Sequence, residues 1–190
     1  KTDQMHFCLG VRTYDIFDER KYALGLMSII LGGNMSSRLF ISVRERNGLA
    51  YYIHTSSDNT TDSGYLVTQA GIKTGSLEKA MELVLKEYKD LRENSVTEEE
   101  LKKAKDYLRG TTSLSLDATD AQTSFYATQE VIEKNMLTPE QKLALIDKVT
   151  VDDIKKIAED IFKDEKLNLS VIGQINEAER EKLQKLLTLS

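Results

Sequence analysis

The sequence predicts an α+β fold in which helices pack mainly on one face of a mixed, largely antiparallel sheet. Short segments of alternating polar and apolar residues occur near both ends of the chain. Two such segments follow one another across a short turn, and this hairpin excludes a purely parallel sheet. The long middle of the chain instead repeats apolar residues at helical spacing.

The first predicted strand carries four alternating apolar residues, Met5, Phe7, Leu9 and Val11. Helical spacing follows from Ala23 to Leu31 and stops at Gly32-Gly33. A second, shorter helix is indicated by Met35, Leu39 and Val43. Gly48 then lies where a helix end favours left-handed backbone, with Leu49 placed for the apolar contact that often follows.

Residues 51–58 and 65–72 are predicted to form the hairpin, joined by NTTDSG. Three helix starts carry capping signals: Thr97-x-x-Glu100, Thr138-Pro139-Glu140-Gln141 and Thr150-x-x-Asp153. Gly110 and the TTSLSLDATD segment are expected to weaken or kink the first of these helices. A strand at residues 167–171 and a final amphipathic helix to about Leu187 complete the order.

The composition argues against several classes of protein. The 190 residues suit one domain, and a net charge of −5 argues against nucleic-acid binding. No apolar run approaches the roughly 18 residues that would span a membrane. One cysteine, Cys8, and no recognisable signal peptide favour a reducing, cytoplasmic compartment. Because the chain opens at Lys1 and enters a strand at once, we expect residues 1–190 to be a single domain excised from a longer chain with an upstream domain.

Metal and nucleophile motifs are not found in the sequence. The two histidines, His6 and His54, belong to different strands and to no helical zinc motif, so we predict two sheet-surface histidines and no metal site. Cys8 lies within a strand without a neighbouring basic residue, which is typical of a structural thiol. Gly32-Gly33 before a helix suits an anion, but a sterically required turn explains these glycines better.

Arg44 and Tyr51 remain as candidate site residues. They are seven positions apart, one ending a helix and the other beginning a strand across a tight turn. A guanidinium and a phenol are hydrogen-bond donors that suit a carbonyl acquiring negative charge. An alternative stays open, in which Arg44 complements the negative end of its helix and Tyr51 fills the sheet together with Ile53.

The segment LGGNMSSRLFISVRERNGLAYYIHT, residues 31–55, closely resembles the pitrilysin, insulinase and mitochondrial processing peptidase family of inverted-motif zinc peptidases. QMHFCLG, LKKAKDYLRGTTSLSLD and LSVIGQI resemble further stretches of that family, so the resemblance spans nearly the whole chain. Asn34 departs from the glycine that family members commonly have there, and we expect the turn to survive because asparagine tolerates left-handed backbone.

The resemblance implies a companion domain without zinc ligands, inactive alone, within a zinc endopeptidase. Zinc, bound by H-x-x-E-H and a downstream glutamate, would belong to another domain of the parent protein. The implied partners are that upstream catalytic-type domain, a second half in the same chain or a dimer, and an unfolded peptide substrate. Arg44 and Tyr51 match the Arg-x6-Tyr pair that reaches the scissile carbonyl.

A second possibility is left open by the same resemblance. The family also contains non-catalytic, scaffold-type halves that assemble with partner subunits, and their companion domains look alike. In either case we expect apolar surfaces that contact the rest of a longer chain to be exposed.

Overall fold

A computed structural model describes residues 4–189 of the chain. Its four strands are β1 (Gln4–Thr13), β2 (Ala50–Asn59), β3 (Gly64–Lys73) and β4 (Leu167–Ile172). Its α-helices are α1 (Lys21–Ser28), α2 (Leu77–Glu93), α3 (Glu98–Ser115), α4 (Thr119–Thr128), α5 (Pro139–Asp147), α6 (Val151–Ile161) and α7 (Glu177–Leu186). Short π-helical turns occupy Ile29–Gly33, Phe40–Glu45 and Gln129–Glu133, and a 3₁₀ turn occupies Asp164–Lys166.

The sheet has the strand order β2-β3-β1-β4, and its neighbouring strands pair antiparallel. Alternate residues of the central strand β1, such as Phe7 and Leu9, are buried beneath the helices. The other residues of β1, such as Cys8, lie on the opposite face of the sheet, which we call the outer face. Exposed side chains of the other strands, such as His54 and Gln69, lie on the same face. The predicted α+β fold with its antiparallel hairpin is therefore confirmed.

Tyr88 of α2 joins the helical layer to the sheet. Its fully buried ring stacks on Phe162 with the ring centroids 4.3 Å apart. Its hydroxyl lies 2.8 Å from Thr68 Oγ1 and donates to the Leu9 carbonyl at 3.1 Å. Thr68 Oγ1 is also 2.7 Å from Thr55 Oγ1. Polar atoms inside the core thus satisfy one another, as burial requires.

The Gly32-Gly33 turn brings the end of α1 against β2. A Cβ atom at Gly32 would lie 2.3 Å from Thr55 Oγ1 and 2.7 Å from the Thr55 backbone nitrogen. The steric explanation of this glycine is therefore confirmed. Asn34 follows with φ −154° and ψ 178°, an extended backbone that any residue adopts, so the expected left-handed residue is not needed at this position.

One helix prediction needs correction. Met35 does not belong to the second helix, because it is 77% exposed in the turn that precedes it, whereas Leu39 and Val43 are buried as expected. The predicted interruption of the long helix is confirmed, because α3 ends at Ser115 and α4 begins at Thr119, both within the TTSLSLDATD segment, while Gly110 itself stays helical. The three predicted capping boxes are confirmed, and a fourth starts α7.

The segment after α3 carries exposed apolar side chains, as expected for a domain that contacts further chain. The largest exposed fractions there belong to Val131, Met136 and Ile132, and Leu114 in the last turn of α3 is exposed as well. Glu133 ties this segment to the helical layer by ion pairs with Lys21 at 2.6 Å and Lys142 at 2.9 Å. Among residues 4–189, no helix is both long enough and apolar enough to cross a membrane.

Candidate functional site

The backbone of Arg44 is fixed by the turn that follows it. Arg44 occupies the last turn of the π-helical segment Phe40–Glu45, whose Val43 is buried. Gly48 has a φ of 61°, and its N–H donates to the Arg44 carbonyl at 3.1 Å. The predicted left-handed cap at Gly48 is thus confirmed. Leu49 extends the link, since its N–H donates to the Val43 carbonyl at 3.1 Å and its carbonyl accepts from Lys73.

The side chain of Arg44 is exposed and lies over an aromatic ring. Its guanidinium carbon is 4.9 Å from the centroid of the Phe40 ring, which is within cation–π range. This contact orients the side chain of a residue that is exposed to solvent. The position in a last helical turn also agrees with the open alternative that Arg44 complements the helix end.

Tyr51 lies at a β-bulge. Ala50 pairs with Ile72 of β3, and Tyr52 pairs with the adjacent Gly71, so Tyr51 is one residue extra in β2. A bulge bends its strand and re-aims the side chains around it. Here both tyrosines become exposed, Tyr51 by 54% and Tyr52 by 43%, between the buried Ala50 and a buried residue at position 53.

The alternative explanation of Tyr51 is wrong. Ile53 is 5% exposed and belongs to the buried face, whereas Tyr51 is 54% exposed. Tyr51 therefore does not fill the core with Ile53. The structure places both predicted site residues at the surface, on either side of the turn around Gly48.

Sequence reasoning missed a second group on the outer face. His6, Gly71 and Tyr52 stand side by side across β1, β3 and β2. The Tyr52 ring lies across Gly71, where a Cβ would be 2.4 Å from Tyr52 Cε1. The Tyr52 hydroxyl is 3.1 Å from Nδ1 of His6, a hydrogen-bond distance. One feature of the sequence indicates this group. Two tyrosines separate the apolar residues Ala50 and Ile53, whereas strict strand alternation would place one residue between two apolar ones.

The histidines do not form a zinc site. His6 and His54 lie on strands separated by β3 and two register positions apart, so their Cα atoms are about 12 Å apart by strand geometry. In the described part of the chain, no three histidine, cysteine, aspartate or glutamate residues are grouped to hold a metal ion. His6 and His54 are therefore too far apart to bind the same zinc ion. Both histidines lie on the outer face, as predicted for sheet-surface residues.

The arginine of the SSRLF motif has a structural position. Arg38 donates to Glu100 at 2.7 and 3.1 Å and to Asp90 at 2.6 Å, which pins the segment before Arg44 to α2 and α3. Burial alone would raise the pKa of Glu100, but hydrogen bonds from Arg38 and from the Thr97 N–H hold that pKa below its usual value. Arg38 thus fixes the start of the helical segment that carries the exposed guanidinium of Arg44.

The fold and site define a class of protein domain: an open antiparallel sheet, backed by helices, that presents exposed donors beside a bulged edge strand. Comparison with known proteins makes the assignment specific. The sequence model of a protein family, the peptidase M16 inactive domain, matches residues 1–108 of this chain. The chain belongs to this family.

Individual relatives agree with the family assignment. A Streptomyces coelicolor protein named as an uncharacterized zinc protease is 32% identical over 96% of this chain and 40% of its own length. A Bacillus subtilis protein named as a probable inactive metalloprotease is 28% identical over 82% of this chain and 36% of its own length. The chain spans about two fifths of the length of the curated relatives it matches.

A solved structure shares the fold at low identity. The crystal structure of an inactive peptidase domain from Bordetella parapertussis superposes with a TM-score of 0.79 at 13% identity. The match covers 92% of this chain and 94% of that one.

Proposed function

We propose that this chain is the companion domain of a zinc endopeptidase and that Arg44 and Tyr51 bind the scissile carbonyl of a peptide substrate. The exposure of Tyr51 by the β-bulge is the observation that carries the proposal. A bulge interrupts the ladder of an edge strand, and such features are over-represented next to active sites.

The two donors differ in chemistry and complement each other. The Arg44 guanidinium is always charged and presents several N–H donors in a plane, while Tyr51 offers a single neutral O–H. As a peptide carbonyl is attacked, negative charge grows on its oxygen, and donors already in place stabilise that charge. The Phe40 contact and the Gly48 turn keep Arg44 in place before substrate arrives.

Zinc and the second half of the chamber are proposed to lie outside these residues. Relatives named as zinc proteases are more than twice as long as this chain, which supports a further domain in the parent protein. The family resemblance gives zinc, and the activation of water, to that domain. The outer face of the sheet, which presents exposed side chains such as Cys8, His54 and Gln69, is suited to an extended peptide.

The test uses the full-length parent protein and an internally quenched peptide. Arg44→Ala and Tyr51→Phe are each expected to lower kcat by about 10²–10³-fold, because each removes one donor that acts in the transition state. Zinc content, measured by atomic emission, is expected to remain at the wild-type value in both variants.

Two matched controls separate the donors from general effects. Arg46→Ala removes a positive charge from an exposed neighbour of Arg44, and Tyr107→Phe removes an exposed phenolic hydroxyl from α3. Both controls are expected to keep wild-type kcat. Wild-type turnover in Arg44→Ala and Tyr51→Phe would refute the role of the donors.

A non-catalytic scaffold is the second candidate function. The specific observation in its favour is the Bacillus subtilis relative named as a probable inactive metalloprotease, which matches 82% of this chain. It predicts a full-length protein that binds no stoichiometric zinc and hydrolyses no peptide. Zinc measured at one equivalent together with peptide hydrolysis would exclude this candidate.

A further inference from the structure

We propose that His6, Tyr52 and Gly71 act together as positioning residues that hold Tyr51 in its outward orientation. We call these three residues the brace. The inference rests on the proposed function of Tyr51 and adds residues that the family resemblance does not mark as part of the site.

The geometry of the brace couples three strands. Tyr52 follows the bulge directly, and its ring occupies the space beside Gly71 of β3, the neighbouring strand, where a Cβ would lie 2.4 and 2.9 Å from two ring carbons. The hydroxyl then reaches His6 on β1, two strands away from its own backbone. The Tyr52 and His6 rings are 6.0 Å apart at their centroids with a 33° tilt. Only a residue without a side chain at position 71 leaves room for this arrangement.

The brace acts where β2 is least restrained. A bulged residue is left unpaired and the ladder around it is locally disrupted, so backbone hydrogen bonds restrain Tyr51 less than its neighbours. β2 is also an edge strand with pairing on one side. The bulge weakens the backbone pairing that would hold β2 against β3 at Tyr51. The contacts of the Tyr52 side chain with His6 and Gly71 replace that restraint at the adjacent residue. Misplacement of a reacting group by about 1 Å can cost about 10²-fold in rate.

A single-tryptophan reporter tests the brace without any catalysis. The chain contains no tryptophan, so Tyr51→Trp gives one fluorophore at the bulge. In this background, time-resolved anisotropy is expected to show a larger fast-motion amplitude for His6→Leu and Gly71→Ala than for the parent. His6→Asn keeps a polar atom near the position of Nδ1 and is expected to restore part of the restraint.

The matched control lies on the same face of the sheet. Tyr65→Phe removes another exposed phenolic hydroxyl, one that donates to Asp58 at 3.3 Å, seven residues along β2 from the bulge. It is expected to leave the anisotropy of Trp at position 51 unchanged. Equal anisotropy in His6→Leu, Gly71→Ala and the parent would overturn the brace.

Kinetics of the full-length protein, with Tyr51 intact, give a second readout. His6→Leu and Tyr52→Phe are expected to lower kcat by about 10-fold with little change in KM, because positioning affects the transition state more than ground-state binding. If Tyr51→Phe lowers kcat and these two variants do not, the brace is refuted while the proposed function stands. If Tyr51→Phe keeps wild-type kcat, the proposed function fails and the anisotropy still decides the brace.

Discussion

Two glycine-to-alanine changes give a direct comparison of packing against helix propensity. Gly32→Ala would place Cβ 2.7 Å from the Thr55 nitrogen, whereas ordinary contact needs about 3.5 Å, so the π-helical turn must move by about 0.8 Å. Thr55 cannot yield, because it is 1% exposed and its hydroxyl is 2.7 Å from Thr68. Overpacking of this kind costs about 1–3 kcal/mol.

Gly25→Ala is the matched control, since Gly25 lies within α1 and a Cβ there meets no atom within 4 Å. Alanine should stabilise the helix by about 0.5–1 kcal/mol. Thermal unfolding followed by circular dichroism should show a Tm lower by about 2–12 °C for Gly32→Ala and higher by about 1–4 °C for Gly25→Ala. A Gly32→Ala domain at least as stable as Gly25→Ala would refute the close approach of the turn to β2.

The remaining predictions concern the core, the ion pairs and metal binding. Tyr88→Phe should lower the free energy of unfolding in urea by about 1–3 kcal/mol, because buried hydrogen-bonding groups lose their partner. Burial alone would raise the pKa of Glu133, but hydrogen bonds from two lysines hold it below its usual value. Its stabilising contribution should therefore be complete above about pH 4.3 and disappear as pH falls through the lowered folded pKa. Glu133→Gln should remove this part of the pH dependence of unfolding, whereas Glu99→Gln should change the pH dependence much less, because solvent screens the exposed pair of Glu99 with Lys103. The 190-residue chain after dialysis should retain no stoichiometric zinc and hydrolyse no peptide; one tightly bound zinc would contradict the assignment of zinc to another domain.

Elements set by local physics could be predicted from the sequence. The capping boxes at Thr97, Thr138 and Thr150 depend on residues three positions apart, and all three are present. The left-handed turn at Gly48 likewise depends on one residue and the helix before it. The alternation of apolar and polar residues in β1 and β3 predicted which face of each strand is buried, because that face packs against the helices.

Features that depend on a distant partner could not be predicted. The bulge at Tyr51 arises from the pairing of β2 with β3, and the sequence alone leaves that register open. The need for Gly71 becomes visible only when the Tyr52 ring is seen to cross it. Strict alternation wrongly allowed Tyr51 to share a face with Ile53. Within the predicted segment, the exact residue at which α3 ends was also left open, since the exposed Gly110 costs only about 1 kcal/mol and stays helical.

Binding of a transition-state mimic tests the central claim most directly. A phosphinic peptide carries a tetrahedral, anionic group in place of the scissile amide, while the matching uncleaved peptide carries a neutral carbonyl. In the full-length protein, Tyr51→Phe and Arg44→Ala are each predicted to weaken binding of the phosphinic peptide by about 10²-fold or more, as donors that act in the transition state should. Affinity for the neutral peptide is predicted to change only a few-fold. Equal affinities of wild-type and variant proteins for the phosphinic peptide would contradict the account.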